Sequence, residues 1–255
     1  MSVPSAPLLL RLDRFDPESG LFASFADSPR VPLLRLRPLP TSGRKILEAI
    51  GALDENAARL LPRFRRKFPD MWAAVEAVGA GLPNGTDQSL FFFFSLCSVA
   101  LGIEEADIRD AASVFSGLQI DYALIQEEEQ WLLDTRTTLR SLWSYKLAEV
   151  SNALLLFSLF ESLGQTLGAF AGRCGDLLRA QAIRLSGDLA AHPFLRAGLR
   201  RGLPRGFATL EEAPASDASL PNGLNASGRK SADPDLLPAP AARATEEREP
   251  TRVEG

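Results

Sequence analysis

Residues 104–163 read EEADIRDAASVFSGLQIDYALIQEEEQWLLDTRTTLRSLWSYKLAEVSNALLLFSLFESL, and the expected fold turns on the spacing of their apolar side chains. The stretch contains no proline, and Gly117 is its only glycine. With Ile108 at heptad position a, the a series is Ile108, Phe115, Tyr122, Glu129, Arg136, Trp143, Val150 and Phe157. The d series is Ala111, Leu118, Ile125, Leu132, Leu139, Lys146, Ala153 and Phe160. All but Glu129, Arg136 and Lys146 are apolar, a repeat expected of a coiled-coil-like helix. Unbroken, such a helix spans roughly 85–90 Å and needs a partner along its length. The expected interface is Phe115, Leu118, Tyr122, Ile125, Leu132, Leu139, Trp143, Val150 and Phe157.

Working outward, residues 41–103 carry shorter helical signals. Ile46, Leu47 and Ile50 share a face, Asp54 is placed to cap a helix that Pro62 interrupts, and residues 70–78 form another. Thr86 or Asp87 is placed to cap a helix carrying Phe91 through Phe94, an apolar run too short for a membrane span. Residues 1–40 alternate around Leu10–Leu12 and Leu34–Arg37, with a turn near Asp16–Gly20. That predicts two or three short strands, confined to an edge or an extended loop by Pro29, Pro32, Pro38 and Pro40. Beyond residue 163, glycines at 164, 168, 172 and 175 end the helical pattern, and a shorter helix through Leu177, Leu178, Ile183 and Leu185 follows. The expected organisation is an extended segment over 1–40, a helical domain over 41–207 and a disordered tail over 208–255, rich in Ala, Pro, Ser and Glu. The fold class expected is mainly α, a helical bundle with one long central helix.

Composition narrows the function. The 255 residues carry a formal net charge of -4, which argues against nucleic acid as a partner. Two distant cysteines and a single histidine cannot form a Cys/His zinc site, and no disulfide framework is implied. No nucleophile elbow, phosphate-binding loop or dinucleotide fingerprint is present, so neither catalysis nor a cofactor or metal is expected. No convincing targeting segment is found, and a cytoplasmic location is expected. His192, between a helix and a proline, reads as a cap for carbonyl groups.

Two side readings remain. Arg63, Arg65, Arg66 and Lys67 form a basic cluster suited to a phosphate or lipid headgroup, and Arg196, Arg200, Arg201 and Arg205 form another, which allows a peripheral membrane contact. The run Leu124-Ile125-Gln126-Glu127-Glu128, followed by Lys146 to Val150 and Asn152 to Leu155, resembles the pattern around the first aspartate-rich motif of all-helical polyprenyl diphosphate synthases. Glutamates replace the paired aspartates, the basic pair after them is missing, and there is no second aspartate-rich motif. The resemblance implies a catalytically silent subunit of such an enzyme. The principal expectation is a helical interaction or scaffold protein that self-associates, or pairs with another subunit, through residues 104–163.

Overall fold

The computed structural model describes residues 8–24, 30–81 and 85–211. Three strands open the chain: β1 (Leu8–Arg11), β2 (Gly20–Ala23) and β3 (Val31–Leu36), joined as an antiparallel meander. Leu8, Leu9 and Leu10 are all buried, so β1 is covered on both faces, as in α/β folds. β4 (Leu39–Pro40) pairs with β5 (Thr86–Asp87) in a separate ribbon. Between them lie α1 (Gly43–Gly51), α2 (Glu55–Lys67) and α3 (Pro69–Ala77). Ile46, Leu47 and Ile50 are the buried face of α1, and the Asp54 carboxylate accepts from the Ala57 N–H to cap α2. Helix α2 runs on through Pro62, which was expected to break it.

Ser89, rather than Thr86 or Asp87, caps α4 (Leu90–Leu101) by accepting from the Phe92 N–H. Next come α5 (Glu105–Ala111), β6 (Ala123–Glu127), β7 (Gln130–Asp134), α6 (Thr135–Leu147) and α7 (Asn152–Leu178). The chain closes with β8 (Ala182–Ser186), a 3-10 turn (Asp188–Ala191), α8 (Pro193–Gly202) and β9 (Ala208–Glu211). Among the described residues the main sheet has seven strands in the order β6-β7-β3-β2-β1-β8-β9, with β2 and β6 antiparallel to the rest.

The protein is therefore an α/β fold with a mixed sheet, which overturns the mainly α helical bundle and its coiled coil. Residues 104–163 are not one helix. Glu104 and Asp107 form a capping box that starts α5, Asp134 caps α6, and Ser151 caps α7. Between α5 and α6 stands a hairpin whose two-residue turn is Glu128-Glu129, with Glu128 at φ 55°. Its register puts Ile125 opposite Leu132. Those two residues are seven apart in sequence, so a tight hairpin reproduces the spacing of a heptad.

The three polar interruptions each have a local role. Glu129 is in the turn, and Arg136 donates to Asp134 at 2.8 Å. The Lys146 ammonium donates to the Asn152 side chain and lies 5.9 Å from the Phe68 ring. The resemblance to the prenyl synthases fails for the same reason, since Glu127 ends a strand and Glu128 forms a turn rather than a helix face.

Glycines 164, 168, 172 and 175 do not end a helix but lie along α7. A Cβ at Gly164 would come within 2.1 Å of the Leu195 carbonyl oxygen, and one at Gly168 within 2.5 Å of that of Leu199. From the other side, a Cβ at Gly198 would sit 1.9 Å from the Glu161 oxygen and one at Gly202 2.2 Å from that of Gln165. At these four glycines the two backbones meet with no side chain between them. Although α7 is long and apolar enough to cross a membrane, most of it is buried inside this fold. The helix expected through Leu177 to Leu185 is instead the end of α7 followed by β8. Pro32, expected at an edge, lies in central β3 opposite Phe22 of β2, but β7 pairs only with Leu34–Leu36, so the β7 side of the strand is unpaired where the proline stands. Residues 208–211 of the expected tail form β9, and the remainder lies outside the described residues.

Candidate functional site

Strands β1, β3, β7, β8 and β9 run in one direction, so their carboxyl ends share one edge of the sheet. The chain builds away from β1 to one side through β2 and β3, and later places β8 and β9 on the other. In open α/β sheets the usual ligand position is outside the carboxyl ends of the two neighbouring strands at such a reversal.

Here the turns after β1 and β8 interlock. The Leu12 N–H donates to the Ser186 oxygen at 2.9 Å, and the Leu189 N–H donates to the Leu12 oxygen at 3.1 Å. Gly187 makes this approach possible: its φ is 91°, and a Cβ there would meet the Leu12 oxygen at 2.2 Å. Ser19 is fully buried beneath the first turn, donating its hydroxyl to the Asp13 oxygen and accepting from the Asp13 N–H. Asp188 accepts from the Arg14 N–H at 2.9 Å and pairs with the Arg14 guanidinium.

Next to the β1 turn is a cleft of about 460 Å³ lined by Phe15, Pro17, Pro38, Gln88, Ser89 and Phe91, together with Thr86 and Asp87. Of its lining residues, Phe15 and Phe91 have ring centroids 4.9 Å apart, although they are 65% and 42% exposed. The Phe91 N–H donates to the Arg14 oxygen, tying α4 to the β1 turn. Backbone amides here already have acceptors: Phe15 donates to Asp13, Arg14 to Asp188 and Ser89 to Asp87. An incoming anion would have to displace carboxylates of the chain itself. The edge thus presents an aromatic pair amid acidic groups.

Farther along, Asp134 is buried at the end of β7, accepting from Arg136 and lying 3.5 Å from Arg37, which also pairs with Glu127 at 2.9 Å. The hydrogen bond from Arg136 to Asp134 raises the guanidinium pKa. His192 follows the 3-10 turn from β8. Its ring stacks on Phe160 at 4.0 Å and meets Phe194 edge-on, and its Nδ1 is buried without a hydrogen-bond partner. Burial lowers its pKa, and it makes no capping bond, contrary to the sequence reading. Among the described residues no three His, Cys, Asp or Glu side chains gather as a metal site.

The residues expected to form one interface are distributed over the fold. Phe115 is in the loop after α5 and 89% exposed, and Leu118 in the same loop is half-buried. Tyr122 is buried and donates its hydroxyl to the Leu159 oxygen at 2.9 Å. Ile125 and Leu132 pair across the hairpin, and Leu139 and Trp143 are core residues of α6. Val150 links α6 to α7, and Phe157 packs on Phe194. The basic cluster also divides. Arg63 lines a groove toward α6, Arg65 lies 5.6 Å from the Trp72 ring, and Arg66 is exposed. Lys67 donates to the Leu147 oxygen and to Glu149, lowering the Glu149 pKa. In the second cluster, Arg201 pairs with buried Glu161.

Sequence reasoning missed Asp13, Arg14, Phe15, Gly187 and Asp188. A faint signal was present, since Leu12-Asp13 and Ser186-Gly187-Asp188 each end a short apolar run.

No family model matches the chain. It is 24% identical over 166 residues to Protein HydE of Wolinella succinogenes, covering 60% of this chain and 30% of that protein. Full-length HypF in its phosphate- and nucleotide-bound form superposes with a TM-score of 0.60 and 12% identity over 82% of this chain. HypF of T. kodakarensis superposes at 0.56 over 81%, also with 12% identity. The chain spans less than a third of each of these proteins. At this identity the structural likeness concerns the fold, and with the HydE similarity it overturns the helical scaffold as the expected function.

Proposed function

We propose that this protein acts in hydrogenase maturation and that the carboxyl edge of its sheet is the surface through which it works. The observation that carries the reading is the match to HypF, a hydrogenase-maturation protein, over most of the chain, supported by the sequence similarity to HydE. The occupant proposed for the edge is a protein segment of the maturation machinery that lays an apolar side chain on the Phe15–Phe91 pair. Phosphate or nucleotide binding is not carried over from HypF to this edge, because its amides are bonded to Asp13 and Asp188.

The test is deletion of the gene in its source organism, with hydrogenase activity and hydrogenase abundance both measured. Activity is expected to fall while the hydrogenase protein persists. A wild-type copy should restore it, and a Phe15→Ser, Phe91→Ser double variant that accumulates normally should not. Unchanged activity after deletion would refute the role in maturation. Full rescue by the double variant would refute the edge as the working surface.

A further inference from the structure

A second concave site lies away from the carboxyl-edge cleft and shares no lining residue with it. It is a groove of about 560 Å³ between α2 and α6, within the usual size range of small-molecule sites. One wall is a single stripe of α2, made of Asn56, Arg59, Leu60 and Arg63, spaced three and four apart. The other is a stripe of α6, made of Arg140, Ser141, Ser144 and Tyr145, with Asp121 at the end.

Three guanidinium groups, those of Arg59, Arg63 and Arg140, and one carboxylate, that of Asp121, line the groove. Two of them are held in place. Arg59 pairs with Glu55 at 3.0 Å, and Arg140 pairs with Asp54 and, at 3.7 Å, with Asp121. Arg63 has no carboxylate partner among the described residues. The Ser141 hydroxyl accepts from the Asp121 N–H at 3.4 Å, which leaves its own proton to donate, and Ser144 is exposed to the groove. The Tyr145 hydroxyl donates to the Gln119 oxygen at 3.0 Å, so its proton is not free for a ligand, and Leu60 adds an apolar residue to the lining.

We propose that this groove binds a phosphate monoester of a small organic molecule. Guanidinium forks match the oxygens of a phosphate, hydroxyl and amide donors complete its coordination, and the apolar surface beside them suits the organic part. An anionic group also suits Arg63, whose charge no carboxylate among the described residues balances. This proposal is independent of any role in hydrogenase maturation.

The experiment is calorimetric titration of the full chain at low salt with phenyl phosphate, and with benzoate and inorganic phosphate for comparison. Saturable binding of one phenyl phosphate per chain is expected, with benzoate and inorganic phosphate each weaker. Arg63→Glu should weaken phenyl phosphate binding about tenfold or more, the scale of a lost charged hydrogen bond. Arg66→Glu carries the same charge change on an exposed residue of α2 outside the groove, and should alter affinity less than about twofold. Both positions are exposed, and unchanged thermal unfolding would show that both variants fold. Absence of saturable binding would overturn the proposal, as would equal weakening by the two variants. Benzoate binding as tightly as phenyl phosphate would overturn the assignment to phosphate.

Discussion

The contact between α7 and α8 and the carboxyl edge of the sheet are built in opposite ways. At the glycines between the helices there is no side chain to adjust, because Gly164, Gly168, Gly198 and Gly202 bring carbonyl oxygens to where a Cβ would stand. At the edge, the turns after β1 and β8 are joined by the Arg14–Asp188 pair and topped by the exposed rings of Phe15 and Phe91. Close backbone packing admits only one arrangement, since interiors are packed as densely as crystals. Exposed pairs contribute little individually and can exchange partners. The difference separates a rigid support from a surface able to change its contacts.

The largest effect is expected at the helix contact. Gly198→Ala puts a methyl 1.9 Å from the Glu161 oxygen, a backbone atom that cannot turn aside. Overpacking of this kind should cost on the order of 3 kcal/mol in denaturant unfolding, and a loss below about 0.5 kcal/mol would show that the helices can separate freely. At the edge, Asp188→Ala removes the acceptor for both the Arg14 N–H and its guanidinium. Because the site is exposed, the expected loss is only about 1 kcal/mol, and a loss as large as that of Gly198→Ala would erase the contrast.

The smallest effect concerns His192, which follows the β8 turn and opens α8, and so belongs to both regions. Burial lowers its pKa below the ordinary value of 6.5, so the unfolded chain binds a proton more readily than the folded one. Stability is therefore complete above pH 6.5 and declines as the pH falls through 6.5 toward the lower folded value. Thermal unfolding followed across that range should show the decline, and His192→Phe should remove that part of it. An identical pH profile in the variant would show that the ring does not report on the junction.

Several elements were legible in the sequence because their signals are local. Asp54 caps α2, the face of Ile46, Leu47 and Ile50 is buried, and β1 and β3 overlap the two alternating stretches. The long helix over 104–163 was misread because spacing alone does not separate two geometries. Leu139 and Trp143, four apart, do share a helix face, whereas Ile125 and Leu132, seven apart, meet across a two-residue turn. The glycines of α7 misled in the other direction. Glycine lowers the intrinsic tendency of a segment to form helix, but here it lets α8 approach, and the gain from packing outweighs the propensity. The carboxyl edge was illegible because Asp13 and Asp188 are 175 residues apart and meet only through the parallel pairing of β1 with β8.

What the sequence determined by itself were features set within a few residues: caps, turns and apolar runs. Tertiary structure alone decided that the apolar runs on either side of Glu128-Glu129 become strands rather than helix. It also decided that Arg63 would part from Arg65, Arg66 and Lys67 to face α6, and that two distant turns would form one edge. The physical reason is that a strand has no hydrogen-bond partners of its own, so its identity depends on which other segment arrives to pair with it.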